Sequence, residues 1–291
     1  MKPARFNYFK PETLQEAFML LDEYGYDAKL LAGGQSLIPM MNMRLARPQV
    51  VIDINGLKEL SYIRDDGDSL RIGALTRHFM VEQSPLVAEN CPLLYEGIQW
   101  IGHSQIRSRG TIGGSIVHAD PTAELPVILS VLGGSVTVAS RDEERTLSPD
   151  EFFLTYMTTT IEPTEVLISA EFPKSSGIAG HAVEEFALRK GDFAIVLAVA
   201  VATLNPDGTI QTLGLSLGGV DGAPVRLDEI TDSLIGRYPD DALIKQCCSQ
   251  IWERVEPEGD IHASADYRRD LSVTLSARAL STAVKRAQCQ M

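Results

Sequence analysis

The sequence predicts an α+β protein of two domains, the first divided into two smaller units. Three observations carry that prediction. Helical and strand patterns alternate between residues 10 and 60, which implies a small parallel sheet. Short strand patterns interleaved with helices follow to about residue 176 and imply an antiparallel sheet. Beyond that, three strand patterns precede three helical ones, and the 291 residues leave room for two or three packed units.

The first helix opens on Thr13-Leu14-Gln15-Glu16, a capping box in which the Thr13 hydroxyl and the Glu16 carboxylate satisfy two orphan amide donors. Leu14, Ala17, Phe18 and Leu21 then form an apolar stripe at helical spacing, and Gly25 closes the helix. A strand over 28–31 runs into the Gly33-Gly34 turn and a second helical pattern through Leu45, which Pro48 stops. A further strand over 50–54 ends at Asn55-Gly56, a turn signal.

Strands are expected over 70–73, 135–138 and 166–169, with helices near 76–83, 92–99 and 123–132. The polar stretch Pro173-Lys174-Ser175-Ser176-Gly177 marks the domain boundary, giving a first domain of 1–176 (units of about 1–57 and 58–176) and a second of 177–291. The second domain is expected to carry strands at 182–189, 194–203 and 209–219, then helices at 228–235, 240–255 and 266–287.

Charge and composition exclude several roles. With 39 acidic against 26 basic residues the net charge is −13, so polyanions are repelled at long range and nucleic acid is not an expected partner. The longest apolar run, Phe193–Ala202, is 10 residues, short of the ~18–20 that span a bilayer. The first residues hold no apolar segment of a secretory signal. Cys91, Cys247, Cys248 and Cys289 lack the spacing of a zinc or iron–sulfur site, and the expected setting is a reducing cytoplasm. Asp65-Asp66-Gly67-Asp68 lacks the distal Glu of a calcium loop and reads as a solvated turn.

Two glycine pairs stand in similar polar settings: Ala32-Gly33-Gly34-Gln35-Ser36, and Thr111-Ile112-Gly113-Gly114-Ser115. Such a pair admits positive φ and removes the Cβ that blocks close approach. Successive amides can then converge on an anion, and two such loops would clasp a diphosphate from both sides. Neither loop has the dinucleotide G-x-G-x-x-G spacing, and no P-loop occurs. Gly133-Gly134 and Gly218-Gly219 merely end apolar stretches.

Lys29-Leu30-Leu31-Ala32-Gly33-Gly34-Gln35-Ser36-Leu37-Ile38-Pro39, with Met43 to Pro48 after it, resembles the first FAD loop of the FAD-binding medium subunits of molybdenum hydroxylases. That family includes carbon monoxide, nicotine and, more distantly, xanthine dehydrogenases. Ile106 to Ile116, followed by Asp120 to Pro126, resembles its second FAD loop, and Glu185 to Ala194 its third signature. The resemblance runs from Phe6 to about Ala283.

It implies a vanillyl-alcohol-oxidase-like FAD-binding domain of two subdomains, plus a C-terminal domain with a three-stranded antiparallel sheet and helices. By matching position, Ala32, Gly33, Gly34, Gln35 and Ser36, with Thr111, Gly113, Gly114 and Ser115, would hold the FAD diphosphate and ribityl. Lys29 and Leu30 would line the adenosine side, Glu124 would bond ribityl or ribose hydroxyls, and Ile101 and Leu167 would lie near the ring; His118, three residues past Ser115, is placed to touch the flavin. Gln35 and Ser115 replace the family's frequent His and Asn, and both still hydrogen-bond. No His or Cys occupies the first loop, so FAD is expected to be non-covalent.

The resemblance also implies an electron-transfer subunit with no catalytic side chain and no metal of its own. A large subunit would carry the molybdopterin cofactor and a small subunit the [2Fe–2S] clusters, assembled as a dimer of heterotrimers that delivers electrons to an external acceptor. Alternatives are a free-standing flavin reductase of the same fold, such as the UDP-sugar enolpyruvyl reductases, or a flavin-free assembly module.

Other residues admit two readings. Arg44 and Arg47 are expected in the last helical turn before Pro48, complementing its dipole. Arg107 and Arg109 would either offset acidic charge near a diphosphate or meet a partner subunit; Phe193 would stack on flavin or open a core strand.

Overall fold

The computed structural model describes residues 2–291. Its N-terminal unit is a parallel sheet of β1 (Asn7–Phe9), β2 (Ala28–Leu31) and β3 (Val50–Asp53), in the order β1-β3-β2. The helix Leu14–Tyr24 lies against it through Ala17, Phe18 and Leu21. Thr13 caps this helix by accepting the Glu16 amide at 3.2 Å, while Glu16 reaches one residue further back than expected, to the Glu12 amide at 2.8 Å. β1 has no counterpart in the sequence pattern, because three largely exposed residues show no alternation.

The second helix of this unit is shorter than its pattern. It spans Leu37–Asn42, and Arg44 follows with φ +61°, a left-handed stop. Arg44 and Arg47 therefore lie beyond the last turn rather than in it. Their side chains hold the exit segment, Arg47 Nε donating to the Arg44 carbonyl at 2.9 Å and Arg44 Nε to that of Lys2 at 3.4 Å.

The middle unit is an antiparallel sheet of β4 (Ile63–Asp65), β5 (Ser69–Gly73), β6 (Ser135–Ala139), β7 (Glu144–Leu147) and β10 (Val166–Pro173). Its order is β4-β5-β10-β6-β7, with the hairpin β8 (Phe153–Thr155) and β9 (Thr158–Thr159) apart from it. The helices Ile112–His118 and Glu124–Val131 lie between β5 and β6 in the chain, the second buried along its whole length.

The C-terminal domain pairs β11 (Ile178–Phe186), β12 (Val196–Leu204) and β13 (Ile210–Gly218) as an antiparallel meander. A two-residue strand, β14 (Val225–Arg226), extends the expected three-stranded sheet at its edge. The helix Ala265–Gln288 packs its Ala279, Leu280, Ala283 and Val284 face on the sheet. Gly180 of β11 sits so close to the Ala283 carbonyl that no Cβ fits. β11 starts earlier than predicted and ends at Phe186, so residues 187–195 form a loop that leaves Leu188 63% and Phe193 72% exposed. Phe193 is thus no core residue.

Two glycine loops meeting at a candidate dinucleotide site

The first glycine loop leaves the end of β2. Gly34 has φ +72°, and the Gln35 side chain donates to the Gly33 carbonyl at 3.0 Å, closing the turn. Among the described residues the main-chain amides of Gly33, Gly34, Gln35 and Ser36 donate to no protein acceptor. Four consecutive unengaged donors form an anion nest.

The second loop touches the first. A Cβ on Gly33 would lie 2.5 Å from the Arg109 carbonyl oxygen and 2.9 Å from Gly110 Cα, and one on Gly114 would face Ala32 at 3.9 Å. Its amides are differently employed. Ile112 N donates to Thr76 at 3.0 Å, Gly113 N to Ala74 at 2.8 Å, Gly114 N to the Thr111 hydroxyl at 3.1 Å and Ser115 N to Thr111 at 3.1 Å. The amides from Ile112 to Ser115 thus have protein acceptors, whereas those from Gly33 to Ser36 do not. Helix capping and packing on residues 74–76 consume the second set. Gly113 is there because a Cβ would sit 2.6 Å from Ala74 Cβ, and exposed Gly114 presents a surface without a side chain.

Asn55 and Arg77 join the loops and were not anticipated as site residues. Asn55 Nδ2 donates to the Ala32 carbonyl at 2.8 Å and to Asp53 Oδ1 at 2.6 Å, while Asn55 Oδ1 accepts from Arg77 Nη2 at 2.6 Å. Arg77 Nη1 donates to the Arg109 carbonyl. Burial alone would raise the Asp53 carboxyl, but hydrogen bonds from Tyr8 and Asn55 hold it below its ordinary value. Behind the second loop His78 is buried, and burial pushes its imidazole down to about 4, so it is neutral at pH 7.

The remaining predicted residues are distributed around this junction. Glu124 opens the buried helix, and burial, with Glu185 and Asp120 nearby, pushes its carboxyl up to about 8. Glu185, on β11, is pushed up to about 7 by burial, and its charge is among the causes that raise Glu124. Ile101 and Leu167 belong to the same apolar core, and His118 is half-buried at the end of the Ile112–His118 helix. Lys29 is exposed and Leu30 packs on the N-terminal core.

Arg107 is structural: it grips Glu82 at 2.9 and 3.0 Å and the Ile101 and Gly102 carbonyls at 3.1 Å. A cavity of about 420 Å³ opens here, its lining including Gln99, His103, Gln105, Arg107 and Lys190. The 187–195 loop reaches it, since Gly191 packs on the His103 ring where a Cβ would come within 2.5 Å.

Comparison with known proteins identifies the family. Residues 4–175 match the FAD binding domain in molybdopterin dehydrogenase, and residues 181–283 the CO dehydrogenase flavoprotein C-terminal domain. The chain is 36% identical over 288 residues to the 6-hydroxypseudooxynicotine dehydrogenase complex subunit alpha of Paenarthrobacter nicotinovorans, covering 99% of this chain and 97% of that one. It is 34% identical over 284 residues to the carbon monoxide dehydrogenase medium chain of Hydrogenophaga pseudoflava, covering 97% and 98%. Among solved structures, quinoline 2-oxidoreductase from Pseudomonas putida 86 superposes with a TM-score of 0.94 at 33% identity, covering 99% of each chain. The chain belongs to the FAD-binding medium subunits of the molybdenum hydroxylases, and its first domain is an FAD-binding domain.

Proposed function

We propose that this chain is the FAD-carrying electron-transfer subunit of a heterotrimeric molybdopterin hydroxylase or dehydrogenase, its two domains meeting near residue 177. Bound non-covalently, FAD would supply a redox relay between the [2Fe–2S] clusters of a small partner subunit and an external acceptor, the substrate being hydroxylated on a large molybdopterin subunit. The observation that carries the reading is the run of unengaged amides from Gly33 to Ser36, closed against a second glycine loop. Those donors fit a diphosphate.

The chain's own residues bind and orient. Ala32 to Ser36 hold the diphosphate, with Thr111, Gly113, Gly114 and Ser115 bordering it. Lys29 and Leu30 flank the adenosine. Glu124, kept protonated by burial, both donates to and accepts from ribityl or ribose hydroxyls. Ile101, Leu167 and His118 surround the ring system, and Phe193 offers an exposed aromatic face from the 187–195 loop.

Substrate choice is assigned elsewhere in the complex. Relatives named for a hydroxylated nicotine derivative and for carbon monoxide share 36% and 34% identity with this chain over nearly its whole length. A cytoplasmic dimer of heterotrimers completes the proposal; among the described residues no helix is long and apolar enough to cross a membrane.

Purification with co-expressed large and small subunits tests the assignment. The expected result is a yellow complex that releases FAD on acid denaturation and whose flavin bleaches with substrate only when all subunits are present. Recovery of a lone monomer with full NAD(P)H-driven turnover of a small substrate would overturn it.

A further inference from the structure

Arg77 is half-buried at the point where both glycine loops converge, and its main chain is pinned there: Arg77 bridges to Thr111, and the His78 amide donates to the Gly110 carbonyl at 3.0 Å. One arm of its guanidinium holds the Arg109 carbonyl, the oxygen against which Gly33 packs. The other holds Asn55, which in turn holds the Ala32 carbonyl at 2.8 Å. The fork therefore spans the two loops. Its acceptors are both neutral, and among the described residues it has no ion pair. Burial, and then the like charge of Arg109, hold Arg77 below the usual arginine range, while Asp53 acts in the opposite direction. Asp53 itself already receives Tyr8 at 2.5 Å and Asn55 at 2.6 Å. A partly desolvated cation held only by neutral acceptors is unfavourable, and an anion between the loops would relieve it.

We propose that Arg77 and Asn55 are positioning residues, a latch that sets the spacing of the two loops and directs positive charge at the diphosphate lodged between them. The proposal rests on the FAD reading above. It predicts that the latch discriminates a ligand with a diphosphate from one without.

Wild type, Arg77→Met, Arg77→Lys, Asn55→Ala and the Arg77→Met/Asn55→Ala double variant would be stripped of flavin and titrated with FAD and with riboflavin, which lacks the diphosphate. Arg77→Met is expected to weaken FAD at least tenfold, about 1.4 kcal/mol, and riboflavin less than twofold. Adding Asn55→Ala should cost nothing further, because the two act as one unit. Arg77→Lys keeps the charge without the fork and should lose FAD affinity severalfold, an outcome readable even where Arg77→Met does not fold. Unchanged FAD affinity in Arg77→Lys and Asn55→Ala, or equal losses for FAD and riboflavin, would overturn the latch. Wild-type protein that takes up no FAD would strike instead at the cofactor assignment, and the latch would fall with it.

Discussion

The two glycine loops look alike as sequence and behave oppositely as structure. In the first, glycine supplies a left-handed turn at Gly34 and a close approach at Gly33, and the backbone amides are left over. In the second, glycine lets a helix settle onto Ala74, and the backbone amides from Ile112 to Ser115 are spent. A donor count distinguishes an anion site from a packing site where composition does not. In the proposed site the first loop would hold the ligand, and the second would supply its wall.

Substitutions at the glycines can break that comparison. The largest effect is expected from Gly33→Val, because its Cβ meets backbone atoms of the other loop at 2.5 and 2.9 Å and neither can rotate away. Flavin absorbance should vanish and stability fall by about 3 kcal/mol, read by spectrum and thermal melt. Next come two variants that should part company. Gly34→Val forces a left-handed residue, costing about 1–2 kcal/mol, and its Cβ meets only the flexible ends of Leu31 and Ile38 at 3.1 Å. It should keep its fold and lose FAD affinity tenfold or more. Gly113→Ala, pressed on the Ala74 backbone, should lower the melting temperature by an amount equivalent to about 1–3 kcal/mol and bind FAD nearly normally. The reverse pattern would mean the roles are exchanged.

A smaller effect is expected at Thr111→Ala. It removes the cap on Gly114 N at 3.1 Å and should cost about 1 kcal/mol of stability, with flavin content retained in excess FAD. A separate effect concerns pH. A carboxyl raised in the folded state binds a proton that the unfolded chain releases, so its contribution is full below the ordinary value of 4.5 and fades as pH rises towards about 8. Flavin-free protein should therefore melt at progressively lower temperature between those limits, and Glu124→Gln should flatten the slope. An unchanged slope would place the titration elsewhere.

How much was legible from sequence depended on range. The Leu14–Tyr24 helix, β2 and β3 announced themselves by local periodicity and a cap. The edge strands β4 and β7 did not: Ile63-Arg64-Asp65 and Glu144-Arg145-Thr146-Leu147 are short and largely polar, and they exist because a neighbouring strand supplies their hydrogen bonds. The glycine loops were visible as motifs, yet the acceptors that silence the second one, Ala74 and Thr76, lie far upstream. Asn55 read only as a turn residue, since its partner Arg77 is brought to it by the fold. Phe193 stayed ambiguous because an aromatic before an apolar strand fits either a core or a free loop, and burial alone decides.

The N-terminal sheet has a small core of its own, reinforced from the middle unit by Leu75, Ala139 and Val166. A dinucleotide bridging the first loop and its wall would act as a rivet across that seam, adding stability that grows with the logarithm of its concentration. Residues 7–53 should then resist protease and exchange amide deuterium slowly when the protein is loaded, and lose that protection when flavin is scarce. Cellular abundance of the subunit would follow vitamin supply through degradation of the empty form.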